Sequence, residues 1–417
     1  MARTDIMEEK ARSHWPDLAG AALLLAVAMG IGRFAFTPIL PDMTAAGVLD
    51  TGAAGLVAAA NFVGYLVGAL STGPVERRVG AGPVLALSVG LTVILCLAMG
   101  WAQAPLSWWL AVRFLAGVAS GWVLVTISAV LFERLAARDA GHLAGLAFGG
   151  VGIGMMLSAV YVREAGPGGV GLGWIGQGWI GQGWAGEWIG MGVLAAILSL
   201  PGLLMLGRVP PFPPRGAHPH GDTHETDRTG FRLLAAAYFL EGLGYIVTGT
   251  FMVAVFRASP ALSAYADNIW LIAGAAAVPS CLIWTLLAAR AGFARALIAA
   301  LLLQSLGILL PVVTGNGIAA IASAILFGGT FMGIATLAVG FGRQLAPHDA
   351  ARAIGMLTAA FGVGQVAGPL AGGWLAQASG GFALPLMAAS GTVAFAALLL
   401  LPLCEFCYMQ NREGGGL

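Results

Sequence analysis

Three ionisable side chains stand deep inside long apolar runs: Arg33, Arg113 and Glu241. Each costs roughly 2.5–3.5 kcal/mol at a helix centre on insertion scales, so such groups face a partner or a wet cavity. A guanidinium presents a fork of donors that suits a carboxylate, and a carboxyl can load and release a proton. Arg33 and Glu241 therefore read as a substrate and proton site. The other reading is an ion pair that locks two parts of the molecule together. Glu241, Tyr245 and Thr248 fall at i, i+4 and i+7, on one helical face. Arg113 either lines a cavity, couples motion to charge, or lies near a helix end and snorkels. Asn61 and Tyr65 share a face, Gln365 sits within the glycine run of span 11, and Asn268 begins span 8. These are weaker candidates, since amides also serve helix–helix hydrogen bonds. Trp122, Trp270 and Trp284 read as packing or interface residues.

These residues need elements that tolerate so little charge. The sequence is 59% hydrophobic and 9% charged, against about 25% charged for an average soluble domain. Membrane spans of about 20 apolar residues are predicted near 18–41, 51–73, 82–102, 106–133, 141–163, 187–207, 231–256, 267–289, 294–313, 316–342, 351–377 and 383–404. Strict alternation is absent, which argues against a barrel. Arg163 and Arg257 fall on one side and Arg33 and Arg113 inside spans, while every other Lys and Arg falls on the side of the termini. That bias predicts a multi-pass protein of the bacterial-type inner membrane with both termini cytoplasmic. Residues 1–17 mix acids and bases, and the run that follows is a full span, so no cleavable leader is expected.

The stretch 208–230 is rich in Pro, His and charge and is the expected cytoplasmic linker between a six-helix bundle at 1–207 and another at 231–417. Its His218, His220 and His224 lack strong ligand spacing, and no metal site is expected. Cys404 and Cys407 form a lone C-x-x-C, a weak signal, and read as a helix-end pair. A tandem repeat, GWIGQ, GWIGQ, GWAGE at 173–187, reads as a loop whose tryptophans suit the membrane–water boundary. The two halves match at offsets near 210. Leu135 to Ala140 matches Leu345 to Ala350; Gly145, Gly152 and Gly154 match Gly355, Gly362 and Gly364; Gly30 and Gly32 match Gly242 and Gly244. Parallel repeats of this kind place a substrate site near the midplane between the halves. On the same offsets, Arg33 and Glu241 stand at nearby levels of symmetry-related spans 1 and 7.

In span 11, Gly355-x8-Gly364-x3-Gly368-Pro369-x2-Gly372-Gly373 resembles the antiporter-type glycine motif of the major facilitator superfamily. In many drug/proton antiporters that motif lies on span 5. Here span 5 keeps Gly145 and Gly154 but carries Ser158-Ala159 at the Gly-Pro position. Arg113-x3-Gly117-x3-Gly121 is similar to the superfamily's span-4 arginine motif, and Gly73 to Gly80 to a degraded gating loop with Glu76 beside the usual acid position. GIGRFAFTPILPDM (30–43), NFVGYLVGAL (61–70), FLEGLGYIVTGTF (239–251), FGGTFMGI (327–334) and GVGQVAGPLAGGWLA (362–376) resemble the YbfB/YjiJ branch.

The resemblance implies an all-α membrane protein, twelve helices in two pseudo-symmetric six-helix bundles. It implies a secondary active transporter of a small organic compound working by alternating access, proton-coupled, with efflux favoured. The alternative is an importer or facilitator of organic anions or other metabolites. The glycines of spans 5 and 11 would form close-packed, gating surfaces. The expected partners are a small-molecule substrate, protons and the lipid bilayer, with the chain a monomer. No cofactor is expected. No basic stripe suggests nucleic acid, and no phosphate-binding G-x4-G-K-[ST] loop exists. A membrane enzyme would want clustered His, Asp or Glu. A non-transporting sensor on the same fold is the remote alternative.

Overall fold

The structure, a computed structural model, describes residues 13–165, 183–207, 209 and 227–404. The apolar runs fold as helices because a bilayer leaves no other partner for their N–H and C=O groups. The first runs as α1a (Trp15–Leu25) and α1b (Phe36–Ala45), with a π-helical turn at Ala26–Ile31 between them. There follow α2 (Thr51–Val79), α3 (Ala81–Met99), α4 (Leu106–Ala136), α5 (Ala144–Ala165) and α6 (Gly183–Leu206). The second set is α7 (Arg228–Ala258), α8a (Ala266–Ala277), α8b (Ser280–Ala291), α9 (Phe293–Val313), α10 (Gly317–Leu345), α11 (Ala350–Ser379) and α12 (Ala383–Leu399). Among the described residues, eleven helical stretches are each long and apolar enough to cross a membrane, and α8a and α8b, bent by 44°, together supply the twelfth. The bend sits at Pro279, which has no N–H to donate and crowds the preceding turn.

The expected duplication is visible in the packing. Gly30 of α1 lies against Gly154 of α5, and its counterpart Gly242 of α7 lies against Gly364 of α11. The turns after α2 and α8b use Gly80 and Gly292 at φ of +89° and +85°, a conformation that favours glycine. The bundles meet along α2 with α11, α5 with α8a, and α1b with α7. Spans that cross a membrane one after another must alternate in direction, so each side chain can be placed near the termini end or the far end.

The linker expected at 208–230 lies outside the described residues except for Val209 and residues 227–230. There α7 already begins, with Asp227 accepting from the Gly230 N–H at 2.8 Å. The first two repeat units lie outside the described residues up to residue 182, as do His218, His220, His224 and Cys407. The third unit is helix rather than loop. Trp184 and Trp188, four apart, are both buried in α6; Trp184 meets Trp109 edge-on at 5.9 Å and Trp188 lies 6.5 Å from Phe36. Burying two indole rings draws this segment into the bundle instead of leaving it at the boundary.

Candidate functional site

Arg33 sits in the break of α1. The loosened turn makes bonds across five residues: the Gly32 N–H donates to Val27 O at 2.8 Å and the Phe34 N–H to Met29 O at 3.0 Å. Such π-type interruptions are frequent at functional sites. The Arg33 side chain leaves the break into a cage of rings. Its Cζ lies 4.2 Å from the Tyr65 ring centre, 4.5 Å from Phe62 and 5.4 Å from Phe34. Arg33 is only 3% exposed, and among the described residues its Nε and Nη2 have no hydrogen-bond partner. Ring faces attract the cation but leave those donors unanswered.

Arg113 of α4 does a different job. Its Nη1 donates to Gly32 O at 2.9 Å and its Nη2 to Arg33 O at 2.9 Å. It therefore ties down the main chain of the α1 break, beneath the rings of Phe36 and Trp188. Asn61 of α2 in turn donates from Nδ2 to the Arg113 carbonyl at 2.9 Å. Gly117 and Gly121 press α4 against the main chain of Asn61 and Tyr65, too close for a Cβ. The span-4 motif is thus one continuous contact with α2 that aims Arg113 at the break.

The second bundle faces Arg33 with a stack of rings. Tyr238 stacks on Phe361 at 4.3 Å, Phe361 on Tyr245 at 5.5 Å, and Tyr245 on Phe331 at 6.1 Å. Phe331 meets Phe34 edge-on at 6.0 Å, and Phe34 reaches Trp270 at 6.3 Å. Gln365 of α11 donates to the Tyr245 hydroxyl, and its Oε1 stays unpaired. Arg33, Tyr65, Tyr245 and Gln365 are therefore brought to one centre between the bundles.

Glu241 is elsewhere. It is 1% exposed, lies beside Gln304 of α9, and borders an apolar space lined by Leu234, Tyr238, Leu297, Leu301 and Ile334. No ion pair joins it to Arg33 among the described residues. Equal level on related helices did not bring the two together, because Glu241 points into its own bundle.

The glycines divide the work. Gly364 and Gly368 seat α11 on the main chain of α7, and Gly372 faces Val247. Pro369 and Gly373 meet Gly55 of α2 across the bundle boundary, while a Cβ on Gly355 would meet nothing within 4 Å. On α5, Gly154 packs on α1, and Gly145 faces Leu282 of α8b at ordinary contact distance. Glu76 accepts from Thr126 at 2.6 Å, within the first bundle. Asn268 accepts from Arg163 at 2.9 Å, at the far end.

Three residues that bridge or line the far end escaped the sequence reading: Asp42, Glu187 and Arg257. Arg257 Nη1 pairs with Asp42 Oδ1 at 2.5 Å, joining the bundles. Glu187 is buried at 3% exposure behind Asp42. The available signal was the helical spacing of Trp184, Glu187 and Trp188, obscured by the repeat. Among the described residues, no group of three or more His, Cys, Asp or Glu is placed to hold a metal.

Solved membrane transporters share this arrangement. A nucleoside transporter, NupG, aligns with a TM-score of 0.64 at 16% identity, covering 92% of this chain and 98% of that one. A D-xylose-proton symporter aligns with a TM-score of 0.71 at 15% identity, covering 93% of this chain and 98% of that one. At such identities the likeness is one of fold, a multi-pass transporter fold of two helical bundles. The chain belongs to the family described as uncharacterised MFS-type transporter YbfB, whose profile matches residues 25–401. A gallate transporter of Pseudomonas putida is 33% identical over 133 residues, which is 31% of this chain and 29% of that protein's length.

Proposed function

We propose that this chain is a secondary active transporter of small organic anions, with Arg33 receiving the carboxylate. One observation carries the reading: a buried guanidinium with two open donors, walled by rings and without an acidic partner among the described residues. Intramembrane charge left unpaired by protein marks a ligand pathway. A carboxylate would answer the donors, and Phe62, Tyr65 and Tyr245 offer faces for a flat or apolar body. The partial likeness to a gallate transporter supports that substrate class. The two bundles rock about this centre, opening it to one side at a time. The bias of Lys and Arg places the termini end in the cytoplasm and the far end outside the inner membrane. A proton gradient supplies the drive, and its polarity in the assay sets import or export.

The test is uptake into proteoliposomes of labelled gallate, benzoate and other organic acids beside uncharged nucleosides and xylose, with and without a pH gradient. Saturable, gradient-driven movement of at least one carboxylate, lost in Arg33→Gln, is expected. Movement of uncharged compounds alone, or undiminished acid transport by Arg33→Gln, overturns the anion reading.

A further inference from the structure

Opposite Arg33, the second bundle presents a polar pair as well as rings. Gln365 of α11 donates from Nε2 to the Tyr245 hydroxyl of α7, and among the described residues its Oε1 has no partner. Gln365 is 1% exposed and Tyr245 3% exposed. A buried amide oxygen left unanswered is costly, and native interiors hold few of them.

The position of this pair ties it to the Arg33 cage. Along the boundary between the bundles, Leu66 of α2 packs on Gly362 of α11, and Gly55 of α2 packs on Pro369. Gln365 lies between those two contacts on α11, as Phe62 and Tyr65 do on α2. The amide therefore stands at the level of the two rings that hold the Arg33 guanidinium from below. Tyr245 reaches the same cage through Phe331, which meets Phe34 edge-on at 6.0 Å.

Two other buried amides carry unpaired oxygens, and both lie off this boundary. Asn61 turns toward α4, where its Nδ2 donates to the Arg113 carbonyl. Gln304 belongs to α9, which packs on α10 and α12 of its own bundle. Gln365 is the one of the three that stands where the bundles part.

The chemistry of the pair is specific. The Gln365 Nε2 is committed, so Oε1 accepts a further bond and offers none. The Tyr245 oxygen accepts from Gln365, and its own hydrogen remains to be donated. A hydroxyl answers both at once, donating to Gln365 and accepting from Tyr245. A hydrogen or a halogen at that place leaves the amide oxygen buried and unpaired, and sites built to bond a hydroxyl discriminate strongly against analogues that lack it.

We infer that Gln365, oriented by Tyr245, reads a hydroxyl on the substrate, so that the transported acids are hydroxy-substituted ring carboxylates. The inference rests on the organic-anion reading, in which Arg33 takes the carboxylate. The ring between the two groups lies among Phe62, Tyr65 and Tyr245, whose faces suit a flat body.

The test is a binding titration of purified protein in lipid nanodiscs, using 3- and 4-hydroxybenzoate beside the 3- and 4-fluorobenzoates, whose fluorine is close to hydroxyl size and cannot donate. At least one hydroxy acid is expected to bind about tenfold or more tighter than its fluoro partner, the cost of one unanswered buried acceptor. Gln365→Met keeps the length of the side chain and removes the amide. It should bring that ratio to within about twofold of one while leaving fluorobenzoate affinity near that of the wild type. Arg33→Gln should weaken both series alike, because it touches the carboxylate they share. Should Gln365→Met fail to fold, Tyr245→Phe, which keeps the ring, must likewise lower the ratio. Acids that bind without regard to the hydroxyl overturn this inference and leave the anion reading standing, as does a ratio that Gln365→Met does not change. Tighter binding of benzene-1,4-dicarboxylate than of either hydroxy acid overturns it too, because the amide would then be presenting its N–H. Failure of every acid to bind removes the anion reading and this inference with it.

Discussion

Arg113 holds the main-chain carbonyl of Arg33, Nη2 to O at 2.9 Å, while the Arg33 side chain points away from it into the cage of Tyr65 and Phe62. One arginine thus fixes the backbone from which the other is presented. A chain that breaks in mid-membrane leaves polar groups that must be answered locally, and Arg113 supplies that answer from the neighbouring helix. The roles differ: Arg33 has open donors toward a ligand, whereas Arg113 positions it.

The first prediction concerns that positioning. Arg113→Leu removes two charge-assisted bonds, each worth about 1.5–3 kcal/mol. It should lower the melting temperature as well as transport. Arg113→Lys keeps the charge but not the fork, and should recover stability only in part. Melting curves of both variants in detergent, followed by uptake at matched membrane levels, check this. Equal melting of Arg113→Leu and wild type would show that the break holds itself.

Arg33 should behave in the opposite way. Arg33→Gln should lower the melting temperature less than Arg113→Leu, because among the described residues Nε and Nη2 have no hydrogen bond to lose. Affinity for a carboxylate substrate should fall about ten- to hundredfold, the worth of one charge-assisted bond. Titration of substrate protection against heat reads this directly. Unchanged affinity would place the carboxylate elsewhere.

Glu241 separates the two readings that its sequence left open. It lies beside Gln304 and, among the described residues, forms no ion pair with Arg33. Glu241→Gln should therefore leave substrate affinity within about twofold of wild type, as expected of sites that share no partner. A tenfold or greater loss, as with Arg33→Gln, would mean that the two charges meet in another state of the cycle.

Much of this architecture is legible in the residues themselves. Apolar runs of membrane length mark every span, and the match of Gly30 with Gly242 and of Gly154 with Gly364 foretells which helices touch, since small residues recur where main chains meet. The cost of buried charge singles out Arg33 and Arg113. Their division of labour is not legible, because it depends on the π-helical turn at Ala26–Ile31, which no composition signal marks. The direction of Glu241 is hidden for a related reason: level along a helix is readable, but rotation about its axis depends on neighbours. Tyr238, Phe331 and Phe361 read singly as packing residues and form one stack only when α7, α10 and α11 assemble. Glu187 looks like loop until Trp184 and Trp188 find their partners in Trp109 and Phe36.

The glycines of α11 permit a graded test of packing against motion. Gly364 and Gly368 sit where any Cβ would overlap the main chain of Phe239 and Leu243, within the second bundle. Gly373 meets Thr51 and Gly55 across the boundary that must part when the far end opens, and Gly355 has free space around it. Gly355→Ala should therefore be neutral, or stabilising by about 0.5–1 kcal/mol through the unfolded chain. Gly364→Leu and Gly368→Leu should abolish transport and lower the melting temperature together, because the wedge acts inside a bundle. Gly373→Leu should behave differently: the bundles can separate without strain but cannot close. Its melting temperature should stay near that of the wild type while transport fails, and spin labels at Ala46→Cys and Ala264→Cys, one on each bundle at the far end, should report a longer distance than in the wild type. A Gly373→Leu protein that transports normally would show that α2 and α11 do not form a closing surface.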